Sequence, residues 1–250
     1  MMAKNYSIFL MAAACAALMA CGKTEPAAPA GEASAPPSLE QATSAAKAEQ
    51  DLQKKQSARA EQGNPATPLE NYQRIKSGRQ IMFAYLAVSP NPLNYEKVAE
   101  TVSDDYAHER DEFKKRDLLN ALKPQIDNEI EKARQTKYYL LTASPQLESY
   151  NFDGKYFKLR GLSEDGEHYF NDTSQYRIKF SNTNDFSHLK IADEDKARRI
   201  EAARTGSGNY RMSLEVYVFA GDTVLGRPIV NAQIMKVRLL DKDGQLLAEQ

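Results

Sequence analysis

Residues 210–220 read YRMSLEVYVFA, and residues 229–240 read IVNAQIMKVRLL. In the first stretch, apolar side chains recur at every second position from Tyr210 to Val218. Successive side chains of a β-strand point to opposite faces, so this period of two predicts a strand with one buried face. The second stretch predicts another long strand from Ile229 to Leu240. These two strands place a β-sheet in the C-terminal part of the chain.

Residues 147–159, LESYNFDGKYFKL, predict a hairpin within the same sheet-forming region. Asp153-Gly154 is a favoured sequence for a two-residue type I′ turn. If Phe152 faces Lys155 across that turn, one face of the hairpin collects the large apolar side chains. That face holds Tyr150, Phe152, Phe157 and Leu159. A slip by one residue would divide this set between the two faces, so the pattern favours a single register.

Other elements extend the β-rich half in both directions. Strands are predicted over 138–142 and 176–180, and a turn at 241–244 leads into a last strand over 245–248. A short helix is predicted over 193–203, because acidic residues open it and Gly206 follows its end.

The sequence before residue 137 has helical spacing instead. Residues 69–75 predict a short helix, and 80–88 (QIMFAYLAV) fits a helix or a buried strand, of which we favour the helix. Val98, Val102 and Tyr106 step by four, and helical spacing continues over 113–133. Pro124 lies inside this last run and should kink the helix or start a new one.

These patterns predict one α+β domain over residues 68–250. Its helices lie in 68–136 and pack on a mainly antiparallel sheet formed by 137–250.

The N-terminus has the pattern of a secretory signal peptide over residues 1–20, with Lys4 followed by an apolar run. The run ends in Leu18-Met19-Ala20-Cys21-Gly22, which resembles the lipobox of bacterial lipoproteins, with Met19 a less usual choice. That resemblance implies lipidation of Cys21 and an anchor of acyl chains in a membrane. The alternative is an ordinary secretory signal followed by a chance cysteine.

Gly22 follows the cysteine, where enterobacterial lipoproteins retained in the inner membrane commonly have Asp. The resemblance therefore implies an outer-membrane lipoprotein facing the periplasm, ahead of the inner membrane or the cell surface. Residues 21–67 are expected to form a tether. Its part at 24–37 is rich in Pro and Ala, and 38–62 is expected to be a solvated helix or disordered.

The charge balance and the candidate site residues limit the classes of function. The chain has 33 Lys+Arg and 34 Asp+Glu, a net charge of −1, which argues against a nucleic-acid partner. Asp104, His108 and Glu112 step by four, so a continuous helix would place them on one face. Such a cluster could serve a general base or a metal, but a second zinc-binding His is missing and a solvated charged face is the simpler interpretation. The sequence assigns no catalytic residue, no metal and no cofactor.

Three further groups of residues carry a second resemblance. They are Ser77-Gly78 with Phe83-Ala84-Tyr85, residues 111–119 and Leu122-Lys123-Pro124. With these residues, the chain from about 72 onward resembles a family of uncharacterised Gram-negative lipoprotein domains, which implies no activity. We expect a membrane-anchored, non-enzymatic binding or interaction module with a protein partner in the envelope. The alternatives are a lipid-anchored hydrolase using the His108 cluster, and a structural or ligand-carrier role.

Overall fold

The computed structural model describes residues 47, 51–52, 61–163, 166–206 and 212–250. The predicted signal peptide, Cys21 and most of the predicted tether lie outside these residues. From residue 61 onward the chain has the predicted α+β fold, with helices on a mixed, mainly antiparallel sheet. Within the described part of the chain, no helix has the length and apolarity that crossing a membrane requires.

Six α-helices and two 3₁₀ turns occur between residue 61 and the end of the described chain. The helices are α1 (Gly78–Val88), α2 (Tyr95–Val102), α3 (Asp104–His108), α4 (Glu112–Gln135), α5 (Thr183–Phe186) and α6 (Glu194–Thr205). The 3₁₀ turns are Leu69–Asn71 and Asn171–Thr173.

Nine strands are found in the same described ranges. They are β1 (Gln73–Arg74), β2 (Tyr138–Ala143), β3 (Tyr156–Lys158), β4 (Glu167–His168), β5 (Arg177–Phe180), β6 (His188–Lys190), β7 (Met212–Thr223), β8 (Ile229–Asp241) and β9 (Leu246–Glu249).

The main sheet has the order β1-β2-β7-β8-β5-β4, and β9 also pairs with β8. The β1–β2 and β5–β8 pairs are parallel, and the others are antiparallel. β3 and β6 form a separate antiparallel pair. The two long strands predicted from the sequence, β7 and β8, therefore form the centre of the sheet.

The centre of β7 is buried on both faces. Val216 and Val218 face a large core that includes Ile81 of α1 and Ile200 of α6. On the opposite face, Phe219 belongs to a smaller cluster with Tyr72, Leu140, Tyr217 and Met235. The sequence predicts only one buried face for this strand. The second face is buried because the segment before β1 lies across it.

The described part of this covering segment includes residues 61–64. The Gly63 N–H donates to Gln233 Oε1 at 3.2 Å, the Asn64 N–H donates to the Tyr138 hydroxyl at 2.9 Å, and Glu61 forms an ion pair with Lys137. A Cβ on Gly63 would lie 2.6 Å from the Cβ of Phe219, so a glycine permits this close approach. Residues 61–67, assigned to the tether in the sequence-based prediction, thus include residues that contact the sheet region.

The N-terminal helices confirm some predictions and correct others. Residues 80–88 are helical, and the Ser77 side chain caps α1 by accepting from the Gln80 N–H. The helix predicted over 69–75 is wrong, because a 3₁₀ turn is followed by β1, which pairs with β2.

The helical stripe through Tyr106 is divided at Ser103. This residue ends α2, and its side chain caps α3 by accepting from the Tyr106 N–H. α4 continues through Pro124 as one helix, so the proline does not start a new one. Helices α1, α2 and α4 pack together around a second core. Its buried members are Met82, Val98, Ala99, Tyr106, Ile126 and Ile130.

Candidate functional site

The structure does not assemble the predicted Asp104–His108–Glu112 cluster on one helix. α3 ends at His108 and α4 begins at Glu112, so these residues belong to two helices. Asp111 caps α4 by accepting from the N–H groups of Phe113 and Lys114, at 2.9 and 3.2 Å. The prediction of a shared helix face is therefore wrong, because this cap starts a new helix within the run.

The His108 ring makes a local contact in place of a carboxylate contact. Its Nδ1 lies 2.8 Å from the backbone oxygen of Asp104, a carbonyl that can only accept. Nδ1 therefore carries the proton and donates. The His108 ring thus satisfies a backbone carbonyl of its own short helix, which is a local structural role.

The other two histidines lie apart from one another. His168 in β4 stacks on Phe180 with ring centroids 4.8 Å apart, and His188 Nδ1 lies 2.9 Å from the Ser187 hydroxyl. Burial lowers the pKa of His168, while a hydrogen bond with the Gly161 backbone acts in the opposite direction. Within the described ranges, no three His, Cys, Asp or Glu side chains are grouped to hold a metal ion. Cys21, the predicted lipidation site, lies outside those ranges.

A small apolar groove is formed where the loop before β3 meets α6. Its volume is about 240 Å³, below the roughly 300–1,000 Å³ of pockets for drug-sized ligands. It is lined by Tyr150, Phe152, Glu194, Ala197, Arg198 and Glu201. We refer to these six residues as the Phe152 groove. Its size suits one large side chain better than an extended ligand.

The aromatic wall is positioned by a tight turn. Asn151 and Tyr156 exchange backbone hydrogen bonds, so residues 152–155 form the turn between them. Lys155 adopts the left-handed φ of 53°, whereas Gly154 does not have a positive φ. The predicted type I′ turn at Asp153-Gly154 is therefore wrong, since that turn needs positive φ at both central residues.

Tyr150 is held in a fixed position at the base of the aromatic wall. Its hydroxyl donates to the Ile191 carbonyl at 2.7 Å, and its ring contacts those of Phe157 and Phe152 at centroid distances of 5.0 and 5.1 Å. Phe157 and Leu159 are buried as predicted, but Phe152 is 78% exposed. Phe152 is exposed because it is the first residue of the turn, where the strand alternation no longer applies.

The opposite wall is one stripe of α6. Asp193 caps this helix by accepting from the Asp195 and Lys196 N–H groups, as the acidic start of the predicted helix suggests. Glu194, Arg198 and Glu201 are spaced by four and three, so they follow one face of the helix. Ala197 is buried below them and leaves room for the groove.

The charges of this stripe alternate in sign. Glu201 forms an ion pair with Arg204 in which both carboxylate oxygens accept, and this hydrogen bond is the main cause that lowers the pKa of Glu201. Arg198 is held more loosely, with its guanidinium 3.8 Å from Glu194 and both side chains more than 70% exposed. The groove thus combines an apolar floor with a rim that offers one carboxylate, of Glu194, and one guanidinium, of Arg198, for further contacts.

A second polar cluster lies on the sheet around the Glu215 carboxylate. Buried Glu215 accepts from Tyr217 at 2.8 Å and from Arg74 at 3.0 Å, and Arg238 approaches it at 3.3 Å. Thr142 completes the cluster by accepting from Arg74. Since both carboxylate oxygens are used, this arrangement joins β1, β7 and β8 and is better suited to stability than to ligand binding.

The sequence analysis did not find the Phe152 groove. Its two walls are 47 positions apart when measured from Tyr150 to Ala197, and local periodicity has no information about their contact. The available signal was the glycine-containing turn, which places Phe152 outside the alternating strand.

Comparison with protein families gives a match that covers most of the groove residues. No curated protein and no solved structure matches the chain significantly. A family profile does match, and its span includes five of the six groove residues, with Glu201 just beyond it. The span also includes Asp111–Pro124, whereas Ser77–Tyr85 precede it. Residues 91–200, less than half of the chain, match the family model described as a domain of unknown function, DUF4852.

Proposed function

We propose that this protein is a membrane-anchored envelope lipoprotein whose folded domain is a non-enzymatic interaction module. The anchor is the acylated Cys21 and the domain faces the periplasm, with the outer membrane as the expected location. The observation that carries the interaction role is the exposed Phe152 at the edge of an apolar groove. Large exposed aromatic side chains next to a pocket are typical of the residues that dominate protein–protein binding.

The groove lining supports contact more than chemistry. The Tyr150 hydroxyl is bonded to the Ile191 carbonyl, and the Glu201 carboxylate is already bonded to Arg204. Asp104, His108 and Glu112, the residues of the alternative hydrolase, belong to two helices, and the His108 ring is bonded to backbone. These contacts favour the binding role over the hydrolase.

Metabolic labelling tests the anchor. In cells given radioactive palmitate, we expect the full chain to be labelled and the Cys21→Ser variant to be unlabelled. Cys15→Ser is the matched control, because the segment before Cys15 lacks the lipobox leucine and this variant should keep its label. Label that persists in Cys21→Ser would contradict lipidation at this residue.

Photo-crosslinking in cells tests the interaction role. A photoreactive phenylalanine analogue at position 152 should give discrete protein adducts. The matched control is position 113, where Phe113 is 73% exposed on α4, away from the groove. Equal yields at the two positions would contradict a specific role for the groove.

A further inference from the structure

We infer that the occupant of the Phe152 groove is Phe152 of a second copy of this chain. In this arrangement each copy inserts its exposed phenylalanine into the groove of the other about a two-fold axis. The inference rests on the proposed function in that it names the partner of the interaction module.

The first step is the match between the groove and a single side chain. A volume of about 240 Å³ lined by Tyr150 and Ala197 suits one aromatic ring. The chain carries such a ring at the edge of the groove, where Phe152 is 78% exposed. A projecting side chain beside a cavity of matching size is the geometry that a two-fold axis requires, because each surface must complement itself.

The second step is charge complementarity. Glu194 and Arg198 lie one helical turn apart on the rim, at 3.8 Å, which is longer than a hydrogen bond. When two α6 helices meet antiparallel, Arg198 of each copy lies opposite Glu194 of the other. Two equivalent ion pairs then flank the inserted rings, whereas a rim of one sign would repel its own copy.

The third step is the spare hydrogen-bonding capacity of Arg198 on the rim. Arg198 has five N–H donors and a loose internal partner, so it can bind a second carboxylate without giving up a strong contact. Glu201, in contrast, keeps its bonds to Arg204 and fixes the inner end of the groove. Burial of two phenylalanine rings supplies the apolar contribution.

Anchoring makes a small contact sufficient. Copies held by lipid in one membrane plane meet at a high effective concentration, so an interface below the usual size for stable dimers can still be occupied. The self-association is therefore tested on the full chain in cells.

The experiment uses two copies of the full chain with different epitope tags, one of which carries a photoreactive phenylalanine analogue at position 152. We expect an adduct that contains both tags. The same analogue at position 113 controls for random collision, since Phe113 is 73% exposed and should give no two-tag adduct.

Charge reversal tests the rim without touching the core. Arg198→Glu in both copies should reduce the two-tag adduct by about tenfold, and so should Glu194→Arg. The double variant, Glu194→Arg with Arg198→Glu, should restore it because each ion pair is re-formed with its charges exchanged. Both side chains are more than 70% exposed, so these changes do not alter the core.

The outcomes separate the two proposals. An adduct at position 152 with another protein alone would overturn self-association and keep the interaction module. A yield no higher than at position 113 would overturn both. A two-tag adduct that survives Arg198→Glu and Glu194→Arg unchanged would overturn the two-fold arrangement described above.

Discussion

The Asp172 carboxylate caps helix α1 from a distant part of the chain: its Oδ1 accepts from the Gly78 N–H at 2.8 Å. Its Oδ2 accepts from the Arg79 N–H at 3.3 Å. The first N–H groups of a helix have no partner inside the helix, and a negative charge there also interacts favourably with the helix dipole. One side chain between β4 and β5 thus fixes the start of the first helix.

Replacing Asp172 by Ala should destabilise the fold by about 1–2 kcal/mol, the usual cost of losing a cap. Asp172→Asn should cost less, because an amide oxygen can still accept a hydrogen bond. Urea unfolding followed by circular dichroism measures both variants. Equal losses for Ala and Asn would mean that the carboxylate charge, not the acceptor, is the important property.

Gly78 is tightly enclosed at the same junction. A Cβ there would lie 2.0 Å from Thr173 Oγ1, so Gly78→Ala should destabilise by about 1–3 kcal/mol through overpacking. Thr173→Ala in the same chain should recover part of this loss, because it removes the clashing oxygen. That hydroxyl has no hydrogen-bond partner among the described residues.

Gly161→Ala is the matched control for this double-mutant cycle. Apart from Gly161 and its two chain neighbours, no atom of the described chain lies within 4 Å of a Cβ at this position, so the change should stay within about 0.5 kcal/mol. Strict additivity of Gly78→Ala and Thr173→Ala would show that the two positions do not interact.

Glu215 should be far more sensitive than a surface carboxylate. Glu215→Gln leaves Arg74 and Arg238 close together without their shared counter-charge, and we expect a loss of about 3 kcal/mol. Glu129→Gln is the control, since Glu129 pairs with Lys132 at the surface of α4 and should cost less than about 1 kcal/mol. Denaturant titration of both variants measures the two losses in the free energy of unfolding.

His168 should make stability depend on pH. Burial lowers its folded-state pKa below the ordinary value of about 6.5, so the unfolded chain binds the proton more readily. Its contribution is therefore fully present above the ordinary pKa, and stability decreases as the pH falls from about 6.5 toward the folded pKa. His168→Gln should reduce the difference in unfolding free energy between about pH 7.5 and 5.5, relative to wild type.

His108→Gln serves as the matched substitution for this measurement, because it removes the exposed histidine of α3. A His168→Gln variant with an unchanged pH profile would show that this ring does not contribute.

The elements that could be predicted were those set by local pattern. Alternation at Leu214–Val218 predicted β7, and the acidic start at Asp193 predicted α6, because strand pleat and helix cap both leave a signature within a few residues. The hairpin register was also correct next to its turn, where Asn151 pairs with Tyr156.

The elements that could not be predicted depend on long-range contact. β1 exists because Gln73 and Arg74 pair with β2, more than sixty positions away, and a two-residue strand has no periodicity to read. The split at Ser103 and the new cap at Asp111 separated the residues of the expected histidine cluster. The Phe152 groove needs α6 to pack against a turn, which only the tertiary structure provides.

The strand order has a consequence for solubility. The path β1-β2-β7-β8-β5-β4 ends in two strands of only two residues each, which contain charged Arg74 and Glu167, and the branch strand β9 has four residues. Long open strand edges are templates on which chains add to one another without limit and form fibrils. Here the long strands β7 and β8 are paired on both sides over about half of their length. The short end strands of this sheet thus disfavour open-ended strand addition between copies.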